Sequence, residues 1–350
     1  MKRIKTSVKA RNNKTIKILK RILFVVFILF LCVLIAGITA FEILKIQGEK
    51  SIRDFEPADG YTEIIEYNGK KYKYNENLVT VAFLGIDQNE LVEKGESEFA
   101  GASDAMMVVS IDTKTKKAKV IALPREIMTE MDIYDDATGE VVKQETHQLY
   151  LAYSYGGGGE LSCQNAVDTI SRVLYGVGIP YYYALDLDGI TALNDSIGGV
   201  VIKSKCDLPA FEIQKDKVAV LKGKAAESYV RTRDEIKAEG SLERLDRQVQ
   251  YVESFVSQVA PAIMTDITKL YGLYNVASEY SKTNLEMNDA VYLASLLASG
   301  GSITFDTYTI AGEMKVYEDE KLENTSHAAF YPDEDSLMQT VLDVFYIRIG

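Results

Sequence analysis

Arg231, Arg233, Arg244 and Arg247 fall within 17 residues, although only eight arginines follow residue 41. A planar guanidinium meets two phosphate oxygens at once and keeps its charge at any physiological pH. Four of them in so short a span predict a pocket for a multiply charged anion, most simply a phosphate or pyrophosphate. Arg244, Arg247 and Gln248 stand at i, i+3 and i+4, which places them on one helix face. Leu242, Leu245, Val249, Val252, Val256 and Val259 form an apolar stripe beside them, so the arginines belong at the boundary of a core. A purely structural role competes with this reading. Glu243 precedes Arg247 by four residues and would pair with it, and Arg231 and Arg233 would offset the carbonyl end of a preceding helix.

A second group lies earlier in the chain. Asp87 closes an apolar strand, Asp104 opens the next, and the run Pro124-Arg125-Glu126 closes a third. Ligands of α/β proteins gather where strands end along one sheet edge. Two carboxylates converging there would hold a hard cation such as Mg²⁺, which also bridges phosphates. The alternative is that each aspartate caps a turn.

The elements that must position these residues alternate. Glu63–Tyr67 and Tyr72–Tyr74 flank Asn68-Gly69, a hairpin signal. Buried strands are expected at Leu78–Ile86, Met106–Ile111 and Lys119–Leu123, with a tight link at Asp112. Helices follow at Gln148–Tyr155 and Glu160–Tyr175, then strands at Tyr181–Leu187 and Gly199–Ile202 around a short helix. Gly223–Val230 and Ser241–Val259 read as helices, the second amphipathic. The remainder predicts a helix near Asn288–Ala298, a strand at Phe305–Thr309 and a last helix from Asp333 to Tyr346. The fold class is therefore α/β.

Location follows from charge. The first 21 residues carry nine Lys/Arg and no acid, and residues 22–41 carry no charge at all. Twenty helical residues span a hydrocarbon core of about 30 Å, and Lys/Arg stay on the cytoplasmic side. The expected layout is a cytoplasmic tail at 1–21, a transmembrane signal anchor at 22–41 and a stalk with a small hairpin at 42–77. An extracytoplasmic domain at 78–350 completes it, on the outer face of the cell membrane. The basic tail suits contact with anionic membrane lipid. From residue 22 onward, 30 Lys/Arg face 51 Asp/Glu, a net of −21. That balance repels nucleic acid and excludes it as a partner. Outside the anchor only Cys163 and Cys206 remain, either bridged or as two buried thiols, and two histidines are too few for a zinc site.

Taken in order, Gly85-Ile86-Asp87, Ser103-Asp104, a strand–turn–strand, Pro124-Arg125-Glu126, Ala152-Tyr153-Ser154-Tyr155-Gly156-Gly157, Ile197-Gly198-Gly199-Val200, Val230-Arg231-Thr232-Arg233 and Arg244 with Arg247-Gln248 resemble the LytR–CpsA–Psr family over residues 78–260. The resemblance implies a single domain with a central mixed sheet flanked by helices and an apolar pocket for a lipid tail. It also implies a phosphotransferase. Such proteins take a glycopolymer from an undecaprenyl-pyrophosphate carrier and join it to peptidoglycan through a phosphodiester. By the family pattern Asp87 and Asp104 hold Mg²⁺ (or Mn²⁺). Arg125, Arg231, Arg233, Arg244, Arg247 and Gln248 surround the pyrophosphate. Asp104, Arg125 and Glu126 carry the chemistry, with Asp104 or Glu126 taking the acceptor's proton. Four positions depart from the pattern: Ala102 replaces an arginine, Glu126 an aspartate, and Ser241 and Glu243 an acid and a glycine. They leave a second reading, a non-catalytic polyprenyl-phosphate-binding or scaffold protein of the cell envelope.

Overall fold

A computed structural model describes residues 37–53, 63–93, 100–135, 137–233, 240–265, 267–299, 305–318 and 326–350. Residues 37–53 form helix α1. The expected tail and most of the expected anchor, up to residue 36, lie outside the described residues. Among the described residues no helix is long and apolar enough to cross a membrane.

After α1 come β1 (Ile64–Tyr67), β2 (Lys70–Tyr74), β3 (Leu78–Ile86), β4 (Ser103–Asp112), β5 (Ala118–Leu123), β6 (Met128–Tyr134) and β7 (Val141–Gln148). Helices α2 (Leu151–Ser154) and α3 (Gly159–Val173) precede β8 (Tyr181–Leu185), α4 (Leu187–Ser196), β9 (Val200–Lys203) and β10 (Val218–Leu221). Three helices follow, α5 (Lys224–Arg231), α6 (Gly240–Thr265) and α7 (Ile267–Glu279), then β11 (Ser281–Thr283) and α8 (Met287–Ser299). The chain ends with β12 (Phe305–Thr309), β13 (Gly312–Glu318), β14 (Ser326–Pro332), α9 (Glu334–Phe345) and β15 (Tyr346–Arg348).

Six strands make the main sheet, in the order β11-β8-β3-β4-β5-β12. It is mixed: β3 runs parallel to β8 and antiparallel to β4, and β5 antiparallel to β4 and parallel to β12. The strand period of two sorts its side chains onto two cores. Ala82, Leu84, Ile86, Met106, Val108, Ile121 and Leu123 join the cluster with α3 and α9. Val79, Val81, Met107, Val109, Ile111 and Val120 pack on the other face, against Leu245 and Val249 of α6 and Tyr292, Leu293 and Leu296 of α8. Burial on both faces is why β3 reads as an unbroken apolar run.

Within the segment expected as a stalk, the described residues 42–53 and 63–77 pack on the domain. Asn68 and Gly69, at φ +51° and +71°, make the two-residue turn between β1 and β2. The far side of β2 then pairs with β15 at the other end of the chain. Helix α1 docks as well, with Ile52 in the α6–α8 core. A Cβ on Gly48 would stand 2.0 Å from the Asn288 carbonyl oxygen, so only glycine allows this approach of α1 to α8.

Other differences have physical reasons. The expected helix at Gln148–Tyr155 is helical only over Leu151–Ser154, because Gln148 closes β7 and Leu149 donates its N–H to the Ile127 carbonyl. Strand β7 is exposed along most of its length, so no apolar alternation marks it. Its partner β6 is held by Asp132, whose carboxylate accepts from Arg172 (2.5 Å) and Gln144 (2.6 Å). Helix α6 runs through Pro261 to Thr265 rather than stopping at Val259. Cys163 is buried and Cys206 partly buried, and both are free thiols, which settles their pairing against a disulfide. Burial pushes the Cys163 thiol up to about 12, which makes it unreactive at neutral pH.

Candidate active site

A cavity of about 640 Å³ opens between the main sheet and helices α5 and α6. One end is apolar, walled by Phe83, Met107, Tyr183 and Ile190 and by Tyr251 and Val252 of α6. The other end holds Asp87, Asp104, Arg125, Arg231, Arg233 and Arg244. Charged head and greasy body thus share one opening.

Local backbone geometry aims the carboxylates. The β3–β4 register shifts at Gly85/Ile86: Gly85 faces Ala105 and Ile86 faces Ser103. Asp104 is the extra residue of this bulge, a device that re-aims a side chain at a sheet rim. Ser103 is fully buried and donates to the Tyr150 carbonyl (3.2 Å), which pins the bulge from below. Ala102 accepts N–H bonds from Asp87 (2.9 Å) and Asp104 (3.1 Å) through its own carbonyl, so the residue in the arginine position ties the two acids together.

Arg125 is the hub of the polar end. Its Nη1 donates to Asp104 Oδ1 (2.5 Å), its Nε to Glu126 Oε1 (2.9 Å), and its guanidinium lies 5.1 Å from the Tyr150 ring centre. Burial opposes its charge, but Asp104 and Glu126 outweigh that and raise its pKa above the ordinary guanidinium range. Arg244 donates to the second oxygen of the same carboxylate, Asp104 Oδ2 (3.3 Å). It is 6 % exposed, and its Nε is buried with no partner. Burial and then the neighbouring Arg125 hold Arg244 below its ordinary range. An anion oxygen placed at that Nε gives it a partner and offsets both the burial and the repulsion from Arg125.

Arg231 closes α5 and reaches back across the rim. Its Nη2 donates to Asp87 Oδ1 (3.1 Å) and its Nη1 to Glu227 Oε1 (3.0 Å). Glu227 is a lining residue the sequence reading missed, although it lies four residues before Arg231, the spacing of a helical ion pair. The apolar wall was missed too, because residues from β3, β4, β8 and α4 meet there only in three dimensions. Gln248 lines the cavity while donating to the Val230 carbonyl (3.2 Å).

Two expected site residues lie elsewhere. Glu126 is outside the lining and 5 % exposed, behind Arg125, with Oε2 unpartnered. Arg247 is 4 % exposed and also outside the lining. Its Nε donates to the Tyr229 carbonyl (3.2 Å) and its Nη2 to the Thr232 carbonyl, so it satisfies the last carbonyls of α5. Arg247→Ala would orphan both, and the expected cost is about 1–3 kcal/mol of stability, read as a lower denaturation midpoint.

Among the described residues Asp87, Asp104 and Glu227 are the carboxylates that line the cavity, Asp87 and Asp104 at the strand ends, and no group of three His, Cys, Asp or Glu placed to hold a metal ion gathers anywhere. Two carboxylates fit an ion that takes its other ligands from phosphates and water, as Mg²⁺ does. They do not make a protein cage for a transition metal.

Asp186 caps α4 at the edge of the site, accepting the Gly189 N–H (2.7 Å). Burial outweighs that bond and raises its carboxyl to about 6. A carboxyl raised above its unfolded value costs stability once ionised, so the loss grows as pH rises from about 4 to 6. Asp186→Asn keeps an acceptor for the cap and removes the charge. It is expected to raise the unfolding temperature at pH 7, with the gain vanishing below about pH 4.

The LytR_cpsA_psr family matches residues 45–340 of this chain. A relative from Bacillus subtilis, the polyisoprenyl-teichoic acid–peptidoglycan teichoic acid transferase TagV, is 27 % identical over 310 residues, covering 85 % of this chain and 71 % of TagV. Biofilm regulatory protein A of Streptococcus mutans is 24 % identical over similar shares, 85 % and 71 %. The crystal structure of B. subtilis TagV superposes with a TM-score of 0.60 at 24 % identity, over 77 % of this chain and 96 % of that one. A structure of TagT bound to LIIa-WTA matches with a TM-score of 0.56 at 20 % identity, over 82 % and 95 %. These structures share the fold.

Proposed function

The chain belongs to the LytR–CpsA–Psr family, and from that premise we propose that it transfers a glycopolymer from an undecaprenyl-pyrophosphate carrier to peptidoglycan through a phosphodiester bond. The observation that carries this reading is the two-part cavity. A membrane-borne pyrophosphate needs an arginine-lined head and an apolar body in one opening, and Arg125, Arg231 and Arg244 adjoin Phe83, Tyr183 and Val252. A soluble phosphate would leave the apolar end without a purpose. The relatives named as teichoic acid transferases point to the same substrate class.

In the reaction, an acceptor hydroxyl oxygen attacks the phosphorus that carries the glycopolymer. The P–O bond to the prenyl phosphate breaks, and the prenyl monophosphate leaves with the bonding electron pair. The hydroxyl proton passes to Asp104, which lines the cavity, rather than to Glu126, which sits behind Arg125. Phosphoryl transfer asks a protein chiefly to position groups and neutralise charge on phosphate oxygens. Arg125 and Arg244 do this from below and Arg231 from the rim, where it exchanges Asp87 and Glu227 for phosphate. Asp87 and Asp104 would hold Mg²⁺ or Mn²⁺, which supplies Lewis-acid neutralisation of the phosphate oxygens. Glu126 keeps Arg125 aimed. The uncharged run at 22–41 anchors the chain by a single pass, with the domain on the outer face of the cell membrane.

Incubation with a prenyl-pyrophosphate-linked glycan and peptidoglycan tests the reading. The expected products are wall-bound glycan, cleavable at a phosphodiester, and one prenyl monophosphate per glycan transferred. Tight binding of the carrier with neither product formed would replace transfer with the scaffold reading.

A further inference from the structure

We propose that the outward face of the β9–β10 hairpin docks on an anionic lipid bilayer. Cross-strand pairing puts Val201 opposite Val220 and Lys203 opposite Val218. These four side chains share the solvent face, with Val218 75 %, Val201 47 % and Val220 46 % exposed. Residues 203–224 hold six lysines against three acids, a local net of +3 in a chain that is −21 from residue 22 onward. Among the described residues Lys203, Lys215, Lys217 and Lys222 form no ion pair and stand exposed, whereas Lys205 and Lys224 are paired with Asp246 and Glu227. Such a surface is costly in water and suits the boundary of headgroups and acyl chains. Valines enter the apolar layer there, while lysines reach the lipid phosphates.

Two further observations choose a bilayer over a protein or another strand. The free edge of β9 is closed by α6: Gln258 accepts the Val201 N–H (3.0 Å) and donates to its carbonyl (3.2 Å), and Gln250 donates to the Lys203 carbonyl (2.9 Å). Only the face remains, and it lacks the aromatic and arginine anchors that centre protein interfaces. The chain also leaves the domain beside it. Phe41 and Leu44, which end or follow the uncharged run, pack against the cluster of Val259, Leu270 and Val291, as do Ile197 and Phe255. The described end of the expected anchor and the hairpin thus both adjoin the Gln258–Val259 stretch of α6. Beneath the hairpin, Val230 and Tyr251 belong both to its core and to the cavity wall, so docking brings the apolar end of the cavity towards the lipid that must enter it.

This inference rests on the membrane anchoring proposed above, and the test separates the two. The chain contains no tryptophan, so Val218→Trp places a single reporter on the hairpin. The control is Val142→Trp, at an exposed position on β7, which pairs with β6 on the α3 side of the sheet. Each full-length variant is reconstituted in phosphatidylglycerol vesicles with brominated acyl chains. Co-flotation reports the anchor and emission reports the hairpin. The expected result is a blue-shifted, quenched emission from Val218→Trp and none from Val142→Trp. Adding Lys203→Gln and Lys217→Gln is expected to reduce the docked fraction about fivefold per lysine. Floating protein whose Val218→Trp emission is as unquenched as the control overturns the docking face, and no flotation overturns both claims. A shift with soluble glycerol-phosphate polymer but no quenching by brominated lipid would assign the face to a polyanion instead.

Discussion

Arg125→Lys is expected to lower kcat by about 10²-fold while leaving the denaturation midpoint nearly unchanged. The loss follows from geometry rather than charge. Arg125 holds Asp104 with Nη1 and Glu126 with Nε, and its fork is braced on Tyr150. An ammonium keeps a cation between the two acids, so the buried Glu126 is not left without a counter-charge. It cannot hold both acids and a phosphate oxygen at fixed angles. Removing one aimed donor from a site of this kind costs about 10²–10³ in rate. Single-turnover kinetics measures this directly, and a KM that changes less than kcat would place the loss in the transition state. A variant with wild-type kcat would remove Arg125 from the chemistry.

Val252→Trp is expected to abolish tight binding of the lipid-linked substrate while sparing its head group. Val252 lines the cavity on α6, and an indole there fills part of the apolar end. Each buried methylene contributes about 0.8 kcal/mol, so excluding one five-carbon prenyl unit costs about 3–4 kcal/mol, or 10²–10³-fold in affinity. Calorimetry with a prenyl pyrophosphate should show that loss, whereas inorganic pyrophosphate should bind as before. Equal losses for both ligands would mean the substitution had disturbed the arginines, and no loss for either would detach the apolar wall from substrate binding.

The sequence exposed those parts of the fold whose physics is local. Strands β3 to β5 are apolar on both faces, Asn68-Gly69 dictates its own turn, and the α6 stripe repeats at helical spacing. Elements stabilised by what they meet were invisible. Strand β7 is polar and exists because β6 pairs with it, β13 and β14 pair with each other, with Phe330 of β14 also bonded to the Glu126 carbonyl, and β15 depends on β2 from the far end of the chain.

At the site the same division holds. Arg244 and Arg247 look equivalent on paper, yet three residues turn a helix by about 300°, which leaves a difference of about 60° between them. That rotation points Arg244 at Asp104 and Arg247 at the end of α5. The bulge that turns Asp104 into the cavity has no residue signature of its own. Ala102 stands where the family pattern has an arginine; in the fold, its carbonyl ties Asp87 to Asp104 whatever its side chain.

The central claim is that one cavity holds both parts of a membrane-borne pyrophosphate. A crystal structure of the protein with a prenyl pyrophosphate tests it most directly. The account predicts phosphate oxygens on Arg125, Arg231 and the free Nε of Arg244, with the prenyl chain running between the sheet and α6 past Phe83, Tyr183 and Val252. Density for the prenyl chain outside that space, or phosphates held away from all three arginines, would contradict it.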